Sequence, residues 1–100
     1  MRLADLDMPS LRALCHDYKV KELYAFGSIV SGRATATSDL DFLVKFDRSE
    51  VEGAFDQFMG FKTALEEIYA RPVDLLTVKP FRNHIFQAEI DRSKELIYAA

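Results

Sequence analysis

Two aspartates separated by one residue carry the clearest chemical signal in this sequence. Asp39 and Asp41 flank Leu40 at the start of an apolar run that continues to Phe46. In a β-strand, residues two apart project to the same side, so we expect both carboxylates on one face while Leu40 and Phe42 enter the core. Like charges held together at an apolar surface are costly to desolvate, and a divalent cation removes that cost. Because hard oxygen ligands suit Mg²⁺, the pair predicts a magnesium site.

A third carboxylate lies in similar surroundings further along the chain. Asp74 interrupts the apolar run from Val73 to Leu76, which predicts a second strand of the same kind. If the two strands are neighbours, Asp74 joins the aspartate pair. Three carboxylates on adjacent strands form a site for one or two Mg²⁺ ions.

A glycine–serine pair supplies groups that suit phosphate. Gly27 ends a short predicted strand, where glycine lets the backbone turn sharply and approach a ligand. The Ser28 hydroxyl and the amides that open the next turn are donors for phosphate oxygens, and Gly32 allows a second close approach. Each feature alone is weak, since most such pairs are turns or surface charges, but their order and spacing together are more specific. A loop that binds polyphosphate beside aspartates that bind metal is what a nucleoside triphosphate requires.

The surrounding pattern predicts the element order α-β-α-β-α-β-α-β. Helices are predicted over about Pro9–Lys19, Ile29–Ala34 (a short helix or turn), Ser49–Tyr69 and Phe81–Asp91, and strands over Leu23–Phe26, Leu40–Phe46, Val73–Val78 and Leu96–Tyr98. Asp7 suits the cap of the first helix, and Ser49 to Glu52 has capping-box spacing. These elements predict an α/β (α+β) fold, with a small mixed sheet, helices mainly on one face and the other face available to a ligand. One hundred residues suit a single domain spanning 1–100.

Composition and single residues exclude several other classes of function. Thirteen basic and sixteen acidic residues give a formal charge of −3 without a basic stripe, so strong nucleic-acid binding is not expected. No apolar run reaches the roughly 18 residues of a membrane span, and we expect a cytoplasmic protein without membrane association. Cys15 lies in an apolar helical stripe and is expected to be a buried hydrophobic residue. His16 and His84 lack a second ligand at metal-binding spacing, so surface or structural roles are expected.

Phenylalanine is abundant on two of the predicted helices. The five residues are Phe55, Phe58, Phe61, Phe81 and Phe86. Such residues are usually core, but five exceed what a small core needs. This aromatic helix surface is therefore a candidate contact for a partner protein or for a second copy of the chain.

The ordered set of motifs resembles the signature of the DNA polymerase beta-like nucleotidyltransferases. The set comprises Gly27-Ser28, Gly32 and Ser38-Asp39-Leu40-Asp41 followed by Phe42-Leu43-Val44, and the short chain is similar to the minimal nucleotidyltransferase group. The resemblance implies the polymerase beta-like palm fold, with ATP or another nucleoside triphosphate as substrate. It implies Mg²⁺ held by Asp39 and Asp41, with Asp74 as a third metal ligand or as the base that activates the attacking hydroxyl. The three aspartates are thus the predicted catalytic residues.

The same resemblance assigns the nucleotide-binding residues. These are Gly27, Ser28, Gly32, Arg33 and Ser38. Relatives often carry an arginine directly after the serine, where this chain has Ile29. If that arginine helps to hold phosphate in the relatives, the nucleotide affinity of this chain is expected to be lower, unless Arg33, which is close along the chain, substitutes for it.

Minimal proteins of this group resemble antitoxins that pair with a HEPN-domain ribonuclease toxin. The implied reaction is Mg²⁺-dependent transfer of AMP from ATP to a tyrosine hydroxyl of that toxin, with release of pyrophosphate. Two alternatives remain at this stage. One is a non-catalytic antitoxin that neutralises its toxin by binding. The other is a small-molecule, antibiotic-modifying nucleotidyltransferase, for which so short a chain leaves little room for a second domain.

Overall fold

The computed structural model describes residues 3–35, 37–47, 53–77 and 84–100, without the side chains of Ala4 and Phe86. After a 3-10 turn at Leu3–Asp5, the helices are α1 (Met8–Asp17), α2 (Ser28–Ser31), α3 (Ala54–Tyr69) and α4 (His84–Ser93), and the strands are β1 (Val20–Phe26), β2 (Leu40–Phe46), β3 (Val73–Thr77) and β4 (Glu95–Ala99). Helices and strands alternate in the predicted order.

The four strands form one mixed sheet in the order β3-β2-β1-β4. The central strand β1 is antiparallel to both β2 and β4, and β2 is parallel to β3. A parallel pair needs a crossover connection, which α3 provides here. The register places Asp41 opposite Phe26 of β1 on one side and opposite Asp74 of β3 on the other.

The two faces of the sheet bury different sets of side chains. One face packs against α1 and α3 in the main core, whose buried residues include Leu11, Cys15, Leu23, Ala25, Leu40, Phe42, Val44, Phe61, Leu65, Val73 and Leu75. The opposite face holds a smaller cluster of Phe26, Leu43 and Ile90. Because Asp41 alternates with Leu40 and Phe42, it lies on this second face, beside the position where α4 packs. The predicted mixed sheet with helices mainly on one face is confirmed, and α4 covers part of the other.

Helix α1 begins as the sequence predicts. The Ser10 amide donates to Asp7 Oδ1 at 3.2 Å and the Ser10 hydroxyl donates to Asp7 Oδ2 at 2.7 Å. These bonds hold the pKa of the Asp7 carboxyl below its ordinary value. Pro9 occupies the first turn, where its missing amide hydrogen costs nothing. The helix ends at Asp17 rather than at the predicted Lys19, whose φ of 58° turns the chain into β1.

Helix α3 begins later than predicted and tolerates an internal glycine for a packing reason. Gly53, with φ at 79°, precedes its first residue, and the predicted capping box from Ser49 to Glu52 lies outside the described residues. Gly60 lies against the ring of Tyr18, where an added Cβ would be 2.9 Å from Cε1. A side chain at Gly60 would therefore separate α3 from the end of α1.

Several strand boundaries extend beyond the predicted ones because of pairing. Strand β1 starts at Val20 instead of Leu23, since Val20 pairs with Phe46 across the sheet. Strand β4 is longer at both ends than the predicted Leu96–Tyr98, since it pairs with β1 through Glu95 and Ala99. The short helix α2 ends at Ser31 rather than Ala34. The predicted end of β3 at Val78, the turn after it and the start of the last helix at Phe81 lie outside the described residues. The helices that the structure describes are too short or too polar to cross a membrane.

Candidate active site

Asp41 and Asp74 are direct neighbours across the parallel strands β2 and β3. Neighbouring strands lie roughly 4.8 Å apart, so the two side chains leave the same face of the sheet within reach of one small ion. Asp41 is half-buried and Asp74 is exposed. The sheet thus brings together two of the three predicted carboxylates, as the strand pattern requires.

Asp39 approaches the same place from outside the strand. It is exposed and lies in the loop that ends at Leu40, the first residue of β2. Burial, followed by the charges of Asp74 and Asp39, raises the pKa of Asp41 to about 6. The three carboxylates therefore act electrostatically as one cluster centred on Asp41.

The binding of a metal ion by Asp39, Asp41 and Asp74 stays a prediction. Within the described parts of the chain, no group of three or more His, Cys, Asp or Glu side chains is close enough to share a metal ion. The chemistry of the donors nevertheless fits Mg²⁺, because all three are hard carboxylate ligands. Burial, followed by the charges of Asp74 and Asp39, raises the pKa of Asp41, and a bound divalent cation would offset both by favouring the ionised carboxylate.

Gly27 contacts the innermost carboxylate directly. It follows β1 with φ at 74°, a conformation that side chains disfavour. A Cβ built on Gly27 would lie 3.2 Å from Asp41 Cγ and would overlap Asp41 Oδ2. From the sequence, Gly27 is expected to allow a sharp turn and the approach of a ligand. That a side chain here would also collide with Asp41 follows from the pairing of β1 with β2 and is not visible in the sequence.

Helix α2 follows Gly27 and accounts for the other motif residues. Ser28 is half-buried at its first position, and Ile29 is only 1% exposed in the main core. The side chain at position 29 therefore packs in the core and supplies no donor to the site. Gly32 ends α2 in the left-handed conformation, which accounts for a glycine at this turn. A Cβ added there would meet none of the described atoms within 4 Å, and its approach to a ligand stays a prediction. Arg33 is exposed beyond it.

The polar loop before Asp39 is held by hydrogen bonds that the motif does not reveal. The Thr35 amide donates to Ser38 Oγ at 2.9 Å, and the Ser38 amide donates to the Thr35 carbonyl at 3.1 Å. Ser38, a predicted nucleotide-binding residue, thus uses its hydroxyl within its own loop. Arg71 Nη1 donates to the carbonyls of Thr35 and Ser38 at 2.9 and 3.4 Å. Nothing in the sequence near Arg71 predicts this contact.

A cleft of about 650 Å³ opens beside Gly27, between α2 and α4. It is lined by Phe26, Gly27, Val30, Ser31, Glu89, Ile90, Arg92, Ser93 and Glu95. This volume is in the range of small-molecule sites. Phe26, Val30 and Ile90 supply apolar surface, and the end of α4 supplies charged groups. The predicted site did not include residues of α4, because no pattern in the sequence around Gly27 to Asp41 indicates that this helix packs beside it.

The remaining candidate residues have structural positions. Cys15 is fully buried, and burial raises the pKa of its thiol to about 12, so the expectation of a buried hydrophobic residue is confirmed. His16 and His84 are exposed. Of the predicted aromatic helix surface, Phe61 is core, whereas Phe55 is 74% exposed. Phe58 is half-buried, and the side chains of Phe81 and Phe86 lie outside the described part of the chain.

Comparison with known proteins is consistent with this geometry. The sequence profile of the nucleotidyltransferase domain family matches residues 10–98. A candidate protein adenylyltransferase of Methanocaldococcus jannaschii is 36% identical over 81 residues, which are 81% of this chain and 78% of the relative. A chain of a toxin–antitoxin crystal structure with AMP-PNP superposes with a TM-score of 0.72 at 18% identity, covering 95% of this chain and 75% of that one. A chain from the complex of tri-AMPylated Shewanella oneidensis HEPN toxin with MNT antitoxin gives 0.62 at 15% identity, covering 93% and 70%. Both solved structures share the fold.

Proposed function

Because the chain belongs to the nucleotidyltransferase domain family and is therefore a nucleotidyltransferase, we propose that it transfers AMP from ATP, with Mg²⁺, to a tyrosine hydroxyl of a HEPN-domain toxin. The observation that carries the proposal is the half-buried Asp41, placed between Gly27 and Asp74 on the sheet face that opens to the cleft. The archaeal relative is a candidate protein adenylyltransferase, which supports a protein as the acceptor of AMP. The AMP-PNP complex and the tri-AMPylated toxin complex support the nucleotide and the partner.

The carboxylate cluster is the proposed metal site. Asp39 and Asp41 would hold Mg²⁺, with Asp74 as third ligand or as base. When bound, the ion supplies positive charge against the triphosphate oxygens, whose negative charge grows as pyrophosphate leaves. Asp41 is the least exposed of the three proposed ligands, and it fits beside β1 only because Gly27 has no side chain.

The nucleotide would lie on the β1 side of the cluster. Gly27 and the amides that open α2 face the triphosphate, with the Ser28 hydroxyl and Arg33 as further donors. Its nucleoside would enter the cleft against Phe26 and Ile90. This arrangement uses both the polar and the apolar parts of the site.

The acceptor would approach from the opposite side, where β3 forms the sheet edge. Asp74 is exposed there, so the hydroxyl of an external protein can reach it. The hydroxyl oxygen forms a bond to the α-phosphorus, and the bond from that phosphorus to the bridging oxygen breaks. Pyrophosphate leaves with the electron pair, and the hydroxyl proton passes to the Asp74 carboxylate. The protein contributes positioning and charge, which account for most of the catalysis in such transfers.

The exposed side of α3 is the proposed contact with the toxin or with a second copy of the chain. Phe55 and Met59 lie one turn apart and are 74% and 38% exposed. Exposed apolar pairs of this kind commonly mark interfaces. Of the predicted aromatic helix surface, Phe55 is the exposed member among the described side chains, and Met59 extends its apolar surface.

The test is AMP transfer to a HEPN-domain toxin, sought among the products of the genes next to that of this protein. Purified chain, toxin, Mg²⁺ and ATP labelled at the α-phosphate should give labelled toxin, with peptide mass spectrometry placing AMP on tyrosine. The double substitution Asp39→Ala and Asp41→Ala should abolish the label, whereas Asp17→Ala, which removes an exposed carboxylate on α1, should retain it. Labelling that survives the double substitution would overturn the mechanism.

The same variant separates transfer from neutralisation by binding. If the Asp39/Asp41 double variant binds toxin with unchanged affinity and still restores growth, the protein acts by occlusion. Loss of growth rescue at unchanged affinity supports transfer. Protection of cells from an aminoglycoside by the chain alone would instead indicate a small-molecule acceptor.

A further inference from the structure

Arg71 connects the start of β3 to the loop that carries Asp39. It follows Ala70, which ends α3 in the left-handed conformation with φ at 53°. One guanidinium nitrogen, Nη1, donates to the carbonyls of Thr35 and Ser38. The residue is half-buried and its Nε is buried, so the base of the guanidinium group lies within the protein.

The loop that Arg71 contacts is a closed unit. The Ser38 amide donates to the Thr35 carbonyl at 3.1 Å, and the Thr35 amide donates back to Ser38 Oγ at 2.9 Å. The hydroxyl groups of Thr35 and Ser38 lie 3.2 Å apart. Because Thr35 and Ser38 are bonded to each other, a contact made by either residue also restrains the other.

The residues before and after Asp39 are hydrogen-bonded to two consecutive residues of the neighbouring segment, Arg71 and Pro72. On one side, Ser38 O accepts from Arg71. On the other, the Leu40 amide donates to the Pro72 carbonyl at 3.1 Å. Asp39 itself is exposed and precedes the strand, so sheet hydrogen bonds begin only at its neighbour.

We propose that Arg71 is a positioning residue that sets the backbone at Asp39, and hence the distance of that carboxylate from Asp41 and Asp74. The Leu40–Pro72 bond fixes one end of this short segment, and Arg71 fixes the other. Without Arg71, Thr35 and Ser38 keep their bonds to each other, but the backbone at Asp39 is attached to the segment before β3 only through the Leu40–Pro72 bond. The inference rests on the proposed function, in which Asp39 is a metal ligand.

The experiment compares Arg71→Met with Arg12→Met. Methionine keeps an unbranched stem but removes every donor, and Arg12 is an exposed arginine on α1. The readout without catalysis is Mn²⁺ affinity, measured by electron paramagnetic resonance of the free ion. The readout with catalysis is the Mg²⁺ concentration that gives half-maximal AMP transfer. Unfolding temperatures without metal report any general loss of stability.

Arg71→Met should weaken Mn²⁺ binding by about 10-fold or more and raise the half-maximal Mg²⁺ concentration in parallel, as removal of outer-shell groups does at metal sites. The KM for ATP at saturating Mg²⁺ should change little. Arg71→Lys, which keeps a charged donor, should recover part of the affinity, and Arg12→Met should match the original chain. A purely structural role would lower the unfolding temperature and leave Mn²⁺ affinity unchanged, which would overturn the inference.

Two further outcomes keep the test decisive. If Arg71→Met does not fold, Arg71→Gln is measured in the same way, and a folded Gln variant with the original Mn²⁺ affinity also overturns the inference. If the original chain transfers no AMP, the proposed function fails. The Mn²⁺ comparison still decides whether Arg71 positions Asp39.

Discussion

Gly27 lies so close to the carboxylate of Asp41 that no side chain fits between them. The contact arises because Phe26, the residue before Gly27, pairs with Asp41 across the antiparallel strands β1 and β2. The glycine therefore has two roles in one position. It turns the chain into α2 with a positive φ, and it leaves the innermost carboxylate of the cluster its space.

Gly27→Ala should disable the site by displacing Asp41. A displacement of roughly 1 Å at a reacting geometry can cost about 100-fold in rate, and we expect AMP transfer to fall by at least that amount. Gly53→Ala is the control for positive φ, since Gly53 has φ at 79° and no atom of the described residues lies within 4 Å of its Cβ position. Its ψ of 1° lies in the left-handed region, whereas the ψ of −146° at Gly27 lies in a region open almost only to glycine. Both variants should lose about 1–3 kcal/mol of stability from backbone strain, Gly27→Ala the more, but only Gly27→Ala should lose transfer in folded protein. Equal transfer by the two variants would contradict the contact.

Metal binding should weaken in acid because of Asp41. Burial and the charges of Asp74 and Asp39 raise the pKa of Asp41 to about 6. Since the ion needs the carboxylate form, Mn²⁺ affinity should fall as the pH drops below that value, by up to about tenfold per pH unit. Titration of Mn²⁺ binding between pH 5 and pH 8 checks this. Affinity that is constant across the range would contradict it.

The free energy of unfolding of the metal-free chain should decrease as the pH rises, because of Asp41. A raised pKa means that the folded state binds more protons than the unfolded state between about pH 4 and pH 6. This contribution to stability is therefore present at the acid end and lost as the pH rises through about 6. Asparagine at position 41 has no carboxyl group to ionise, so Asp41→Asn avoids the loss of stability that the ionised Asp41 carboxylate causes at high pH. Because solvent screens part of this effect, we expect the variant to be about 1–2 kcal/mol more stable than the original chain at pH 8. Urea unfolding of both proteins at pH 5 and pH 8 measures the difference, which should shrink at pH 5.

Asp74→Asn should lower the pKa of Asp41. The charge of Asp74 is the second cause of the raised pKa after burial, so its removal leaves burial and Asp39. Carbon-detected nuclear magnetic resonance of the side-chain carboxyl groups, in metal-free protein, would follow the titration directly. Asp17→Asn, on α1, should leave it unchanged. A titration of Asp41 that ignores the Asp74 substitution would show that the two carboxylates are not neighbours in solution.

Filling the cleft should impair nucleotide binding. Ser31 is exposed at its edge, so Ser31→Trp places an indole in the cleft without disturbing the core. We expect the KM for ATP to rise by about tenfold or more, with a smaller effect on the rate at saturation. Thr63→Trp, in a separate groove beside Tyr18 and Gly60, is the control. Unchanged KM in the Ser31 variant would place the nucleoside elsewhere.

Cys15 should be chemically inert in the folded protein. It is fully buried, and burial raises the pKa of its thiol to about 12, so the reactive thiolate is scarce at neutral pH. Reaction with a disulfide reagent should be at least about 100-fold slower than in urea-unfolded protein. Rapid labelling of the folded chain would show that α1 opens readily.

Much of the fold was predictable because the relevant signals are local. Strand β2 has the predicted bounds, since the alternation of Leu40 and Phe42 with Asp41 is visible in the sequence alone. Asp7 caps α1 as its residue type requires. The family assignment, made from residues 26 to 44, is confirmed by the match over residues 10–98. Boundaries that depend on pairing, such as Val20 and Ala99, were not predictable from local pattern.

The sequence by itself determined the residue types of the site: two aspartates with strand spacing, a third in an apolar run, and a glycine–serine pair before them. It also determined the order of the elements, because periodicity and turn residues are properties of short segments. Only the tertiary structure decided that Asp41 lies between Gly27 and Asp74, that Arg71 holds the loop before Asp39, and that α4 forms a wall of the cleft. These relationships join segments far apart in the chain. They depend on strand order and register, which arise from burying the whole core at once and leave no mark on any one segment.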